Sequence, residues 1–304
     1  MIKNFQQVMQ VAKEKGPKRI AVACAADKEV LLAVSAAKKE GIAEATLFGD
    51  KDEIVKLCEE ISVNPADYEI VDAKGLEEAS EKAVSAVSSG NADIVMKGLV
   101  DTSIILKAVL NKETGLRTGS VLSHAAVFST SKYDKLLTIT DPAMNIAPDL
   151  ETKKKIIENV LVLTKAIGLD NPNVAVVCAK EKVSDKMPPT VDAQELVKMN
   201  QAGELKGCVV GGPFALDNAI SVEAAKHKGV THPGAGEADI LLMPDIEAGN
   251  VLYKALSFLA ESESAGIILG AKAPIVLTSR ADTDQTKLYS IALSVLMAAS
   301  KEEK

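Results

Sequence analysis

Short apolar runs rich in β-branched residues alternate along this chain with longer Ala-, Lys- and Glu-rich stretches of helical period. Repeated strand–helix units bury both element types by laying helices on the faces of a largely parallel sheet, so the alternation predicts an α/β fold. The predicted strands are Arg19–Ala25, Ala45–Phe48, Tyr68–Val71, Asp93–Met96, Lys135–Thr140, Val174–Cys178, Gly207–Val210, Asp239–Met243 and Pro274–Thr278. Helices fall between them. Asp27 supplies an N-cap for a helix running to Lys39, and Gly41 stops it. Leu76–Ser89 ends at Gly90 and Asp149–Ala166 at Gly168. Asp282–Ser300 reads as a long amphipathic helix with Leu288, Ile291, Ala292, Val295 and Leu296 on one side.

At 304 residues the chain has room for two domains. Two polar runs, Phe128–Asp134 (FSTSKYD) and Glu261–Gly266 (ESESAG), interrupt the pattern and mark domain changes. The expected organisation is a discontinuous first α/β domain, 1–125 plus 270–304, with a second α/β domain, 126–269, inserted in it. Aromatics are only 3% and Trp is absent, so Ala, Val, Ile and Leu must build the core. A net charge of −7 excludes a general nucleic-acid binder, which needs broad basic patches. Any anionic ligand must be held locally. Four widely spaced cysteines form no C-x-x-C pair, and the N-terminal segment has no continuous apolar stretch. Buried reduced thiols, a cytoplasmic location and no membrane segment are therefore expected.

Ligands of parallel α/β sheets bind beyond the carboxyl ends of the strands, where amides of the following helix turns converge. These ends are Ala26-Asp27, Lys97-Gly98, Asp141-Pro142, Gly211-Gly212-Pro213, Pro244-Asp245 and Ser279-Arg280. In PIVLTSRADTDQ the last strand delivers a hydroxyl, Ser279, and a guanidinium, Arg280, to the start of a helix. That combination suits a dianion such as phosphate. The alternative is a Ser279 turn cap with Arg280 paired to Asp282 or Asp284 on the surface. Asp282 is expected to cap the helix, and Asp284 is left open. In MKGLVDTS, Lys97 and Gly98 end a strand and Thr102 opens a helix, a second arrangement able to hold phosphate or to be an ordinary turn. The chain has three arginines, and Arg117 lies in a Gly-rich loop. His124, among small and apolar residues, is expected to be a core histidine. Gly234-Ala-Gly236 precedes a strand, which fails the test for a dinucleotide loop. The three histidines lack metal-ligand spacing.

PDIEAGNVLYKAL followed by APIVLTSR resembles the phosphate acetyltransferase/butyryltransferase family, which pairs a P-D-x-x-A-G-N segment with a downstream S-R dipeptide. KMPPTVDAQELVKMNQAGELKGCVVGGPFALDNAIS and KHKGVTHPGAGEADILLMPD are similar to the butyryltransferase branch, and the likeness extends along essentially the whole chain. The resemblance implies an isocitrate/isopropylmalate dehydrogenase-like fold of two domains with mainly parallel sheets and an active site in the interdomain cleft. It further implies reversible acyl transfer between coenzyme A and phosphate, with acyl-CoA as substrate, no metal or nicotinamide, no permanently bound cofactor, and a homo-oligomer. Carried over to this chain, Arg280 would hold phosphate and Ser279 would stabilise the developing oxyanion or the sulfur. Asp245 and Asn250 would line the cleft. The acetyltransferases place an Asp shortly after the S-R pair, and the matching position here is Thr286, leaving Asp284 or Asp282 as the base. Lys107 and Arg117 are candidates for the phosphates of coenzyme A.

Two other readings compete. A decarboxylating dehydrogenase of the same fold would need several arginines and a carboxylate metal site. A binding protein that senses acyl phosphate or coenzyme A could keep the fold without turnover. A covalent route through cysteine would require an exposed, activated thiol.

Overall fold

The computed structural model describes residues 1–279 and 282–302. In chain order the elements are α1 (Phe5–Lys15), β1 (Lys18–Ala23), α2 (Lys28–Lys39), β2 (Ala43–Gly49), α3 (Lys51–Glu60), β3 (Glu69–Asp72), α4 (Leu76–Ser88), β4 (Ile94–Lys97) and α5 (Thr102–Val109). There follow β5 (Ser123–Thr130), β6 (Tyr133–Thr140), α6 (Leu150–Ala166), β7 (Asn173–Val177), α7 (Pro188–Gln201), β8 (Val209–Phe214), α8 (Leu216–Ile220) and α9 (Val222–His227). The chain ends with β9 (Ile240–Leu242), α10 (Ile246–Phe258), β10 (Glu263–Leu269), β11 (Ile275–Val276) and α11 (Asp284–Glu302). Two compact units result: Phe5–Ser120 with the described residues from Ala265 onward, and Met1–Asn4 with Val121–Ser264.

The unit that starts at Phe5 carries strands in the order β3-β2-β1-β4-β11-β10. All neighbours are parallel except β10 and β11. Of its central strands, β4 is buried along its length and β1 from Ile20 to Ala23, as expected where helices cover both faces. Asp27 caps α2 as expected, its Oδ1 accepting the Val30 N–H at 2.9 Å. Arg19 clamps the entry of β1 to the residue before β4, donating to both carboxylate oxygens of Asp93 at 2.7 and 3.1 Å.

The last helix corrects the sequence reading. Rather than amphipathic, α11 is buried continuously from Lys287 to Ala299, packed against α1 and α2. Phe5 stacks on Tyr289 with centroids 4.4 Å apart. Burial all round is tolerated because the inward hydroxyls are satisfied within the protein. Ser290 Oγ donates to Thr286 O at 2.7 Å and accepts from Gly266 N, and Ser294 Oγ donates to Ser290 O at 2.9 Å.

In the other unit the order is β5-β6-β9-β7-β8, with β5 and β6 an antiparallel hairpin and the remaining pairs parallel. The Ile2 N–H donates to Ile167 O at 3.2 Å and ties the N-terminal residues to this unit. Phe128, Ile139, Phe214 and Leu241 centre its core, and Leu252, Tyr253 and Leu256 of α10 pack on them. His124 is buried in β5, the core position expected for it.

Strands β5 and β10 are absent from the sequence prediction. Their ends carry the polar letters of FSTSKYD and ESESAG, which belong to the β5–β6 hairpin and to the start of β10. Strand formation there follows from pairing, of β5 with β6 and of β10 with β11, a context that single-residue propensity does not carry. Gly211-Gly212-Pro213, expected beyond a strand end, lies inside β8. β8 ends the strand order and its pairing with β7 shifts register around Pro213, the edge and bulge setting in which proline is tolerated. Among the described residues, no helix is long and apolar enough to cross a membrane.

Candidate active site

Strands β1, β4 and β11 are parallel neighbours that finish together, with Ala23 beside Lys97 and Val276 beside Met96. Register alone therefore brings Cys24–Asp27, Lys97–Gly98 and the segment through Ser279 to one sheet edge. In α/β sheets this is the edge where ligands collect. Between β1 and β4 the strand order also reverses direction, since β2 and β3 continue on the far side of β1.

Lys97 is buried, and its ammonium donates to the carbonyl oxygens of Gly98 at 3.0 Å and Val100 at 3.1 Å. Those bonds hold the turn that leads to α5. A Cβ on Gly98 would lie 2.1 Å from the Cys24 carbonyl oxygen. Close approach at this glycine is thus to the neighbouring strand's backbone, which differs from the ligand approach expected. Thr102 opens α5 half-buried, and Asp101 at its N-cap makes no side-chain capping bond. Lys107, in the last turn of α5, is exposed. Arg117 has an exposed side chain while its backbone bridges to Ala271.

At the end of β11, Ser279 is half-buried and bonded to Asp282 twice. The Ser279 N–H donates to Asp282 Oδ2 at 2.6 Å, and the Asp282 N–H donates to Ser279 O at 3.1 Å. Asp282 therefore reaches backward instead of capping α11, a correction to its expected role. Thr283 takes the capping position, its Oγ1 accepting the Thr286 N–H at 3.2 Å. Thr286, at the position matched to the acetyltransferase Asp, spends its amide and hydroxyl on Thr283. Asp284 begins α11 and is exposed. Arg280, the expected phosphate ligand, lies outside the described residues.

Asp245 and Asn250 belong to the other unit. Asp245 caps α10, accepting the Ala248 N–H at 2.9 Å, and Asn250 Nδ2 donates to Pro142 O at 3.3 Å. Gly249 lets the helix approach closely, for its Cβ would lie 2.8 Å from Asp141 O and from the Pro142 Cα. The P-D-x-x-A-G-N segment thus seats α10 against the Asp141-Pro142 strand end. Asp141 is itself buried, and its carboxylate accepts from Ala143 N and Met144 N at 2.9 Å and from Asn145 Nδ2 at 2.6 Å.

Sequence reasoning missed Lys287 and Lys153, both buried ammonium groups. Lys287 Nζ donates to Asp282 O at 2.6 Å, and Lys153 pairs with Asp192 at 2.6 Å. A signal for Lys287 was present: residues 288–299 carry no charge, the pattern of a helix buried on all sides with Lys287 at its mouth.

All four cysteines are buried. Burial pushes Cys24 and Cys58 up and drives Cys178 and Cys208 to about 11, so each thiol stays protonated at neutral pH. None is poised as a nucleophile. A cavity of about 590 Å³ opens on the β1–β3 side of the sheet edge, rimmed by Asp50, Asp52, Glu53 and Asp72 against Lys74. Its acidic rim is a poor match for the phosphates of coenzyme A.

A serine hydroxyl at the carboxyl edge of a mainly parallel sheet, with all four thiols buried and protonated, is the arrangement expected of α/β enzymes that join two activated substrates directly. The chain matches the phosphate acetyl/butaryl transferase family over residues 4–84 and 74–295, and it belongs to that family. It is 53% identical over 301 residues to the phosphate butyryltransferase of Clostridium acetobutylicum, covering 99% of this chain and 100% of that protein. It is 48% identical to the phosphate acetyltransferase of Thermotoga maritima, covering 97% and 99%. A branched-chain phosphotransacylase from Enterococcus faecalis V583 has a similar structure, with a TM-score of 0.82, 32% identity, and coverage of 92% of this chain and 99% of that one. The chain is an acyltransferase.

Proposed function

We propose that this acyltransferase catalyses butanoyl-CoA + phosphate = butanoyl phosphate + CoA, reversibly and in a ternary complex. The observation that carries the reading is Ser279, held at the end of β11 beside the Lys97-Gly98 strand end, in a chain 53% identical to a phosphate butyryltransferase.

A phosphate oxygen attacks the thioester carbonyl carbon, the tetrahedral oxyanion collapses, the C–S bond breaks, and the CoA thiolate leaves and takes up a proton. Both substrates are already reactive, so orientation and charge stabilisation suffice and no enzyme nucleophile is required. Arg280 holds phosphate, and Ser279 stabilises the oxyanion or the departing sulfur. In the reverse direction Asp284 accepts the thiol proton of CoA. Lys97, Gly98 and Thr102 shape the phosphate side, Asp245 and Asn250 contribute to substrate binding, and Lys107 and Arg117 meet the phosphates of CoA. No resident cofactor is required in this scheme, and the working form is a cytoplasmic homo-oligomer.

The test is phosphate-dependent release of free thiol from acetyl-, propionyl-, butanoyl- and isobutanoyl-CoA, measured side by side. The highest kcat/KM is expected for butanoyl-CoA, with its neighbours lower by about 10–200-fold, since one methylene is worth only that much discrimination. The 48% identity to an acetyltransferase supports a second reading, in which acetyl-CoA is preferred. Binding of acyl-CoA without thiol release at saturating phosphate would instead mark a sensing protein.

A further inference from the structure

We infer that Asp282 and Lys287 are positioning residues that aim Ser279 at the reacting carbonyl; the inference rests on the function proposed above. Ser279 leaves β11 in an irregular segment, and a serine that stabilises charge in a transition state works only if its backbone is held. The structure supplies the holding bonds from one direction. Asp282 grips both polar groups of the Ser279 backbone, taking its N–H on Oδ2 at 2.6 Å and giving its own N–H to the Ser279 carbonyl at 3.1 Å. The first of these is charge-assisted, which makes it short and strong.

Lys287 then fixes Asp282, donating to its carbonyl at 2.6 Å. Lys287 is 4% exposed and lies in the first turn of α11. Burial of an ammonium is costly, and a cation near a helix N-terminus opposes the helix dipole. A lysine placed at cost on both counts needs strong acceptors, and the Asp282 carbonyl is one of them. The Lys287 N–H donates to Thr283 O at 3.1 Å, so the side chain grows from a helix already begun. That helix, buried through Ala299, is the rigid body against which the segment is braced. The bracing runs from the core of α11 through Lys287 and Asp282 to Ser279. Ordinary helix capping does not account for Asp282, because Thr283 performs it.

The experiment compares Asp282→Ala, Asp282→Asn, Lys287→Met and Ser279→Ala in the full chain, by steady-state kinetics with butanoyl-CoA and phosphate and by thermal melting. Asp282→Ala and Lys287→Met are expected to lower kcat by about 10–100-fold, the cost of small misplacement at a reacting centre. KM for butanoyl-CoA stays within about twofold, since ground-state binding is untouched. Melting temperature stays near that of the parent chain. Asp282→Asn keeps an oxygen acceptor for the Ser279 N–H and is expected to recover most of the rate. If Asp282→Asn is as slow as Asp282→Ala, the carboxylate works by its charge or proton and positioning is overturned. It is equally overturned if Lys287→Met turns over like the parent chain, or if the rate falls only with the folded fraction. Should Asp282→Ala fail to fold, Lys287→Met carries the same comparison, because it removes the donor and keeps the packed length. Ser279→Ala separates the two levels. Full activity in Ser279→Ala overturns the site assignment and this inference with it. Impaired Ser279→Ala beside unimpaired Asp282→Ala overturns the positioning alone.

Discussion

Gly98 lies so close to Cys24 that a Cβ on it would sit 2.1 Å from the Cys24 carbonyl oxygen and 2.7 Å from that of Ala23. Both obstacles are backbone, and they are the acceptors that bind Leu99 N at 2.9 Å and Gly98 N at 2.8 Å. Relief requires separating β1 from β4 where they finish. Gly98→Ala is therefore expected to cost about 1–3 kcal/mol of stability, the usual range for overpacking. Urea unfolding of the two proteins measures it, and equal midpoints would refute the packing role.

Asp284, as the proposed acceptor of the CoA thiol proton, has a distinct pH signature. Asp284→Asn is expected to lose about 10²–10⁴ in kcat/KM at pH 7 for the reaction of CoA with butanoyl phosphate. The deficit should shrink as pH rises toward the intrinsic range of a thiol, about 8.5, where CoA ionises unaided. A pH–rate profile of the variant parallel to that of the parent protein would remove Asp284 from this role.

The Lys153–Asp192 pair is 2.6 Å long, with the lysine side chain only 4% exposed and the aspartate 26%. Removing the carboxylate strands a buried cation. Asp192→Ala is expected to destabilise by about 3–5 kcal/mol, and adding Lys153→Met should restore most of the loss. Chemical denaturation of the single and double variants checks both statements.

Arg19 and Asp93 make a two-point bond at the entry of β1. Burial pushes the Asp93 carboxyl up, but the hydrogen bonds from Arg19 outweigh it and leave the group below the usual carboxylate range. A carboxyl lowered by folding stabilises the native state above its unfolded pKa of about 3.9 and loses that contribution as pH falls through its folded value. Arg19→Met is therefore expected to cost about 1 kcal/mol at pH 7. The gap to the parent protein should close progressively as pH falls below the ordinary carboxylate range. Urea midpoints measured across that range test the sign.

The four thiols are buried, with Cys178 and Cys208 driven to about 11 by desolvation. A disulfide reagent at pH 8 is expected to label them only slowly in the native protein and all of them after denaturation. Fast loss of activity on native labelling would reopen a cysteine in the chemistry.

Local chemistry made much of this molecule legible in its letters. Asp27, Asp149 and Asp245 each accept an N–H three residues ahead, a relation carried entirely by neighbours in sequence. The alternation of strand and helix established the α/β class, and the strand ends singled out Lys97-Gly98 and Ser279-Arg280 as candidate ligand positions. What the letters could not decide depends on how the elements pair and pack. The strands β5 and β10 take their form from cross-strand pairing, and Gly98 is small because Cys24 is its neighbour. α11 is buried on all sides because α1 and α2 pack on it, and that burial makes Lys287 an interior cation. Asp282 stands where a helix cap is expected, but Thr283 takes that place and the fold turns Asp282 back toward Ser279. Neighbours select turns and caps because their bonds close over three or four residues. Tertiary packing decides which polar groups lose water, and those groups are the ones that must find each other.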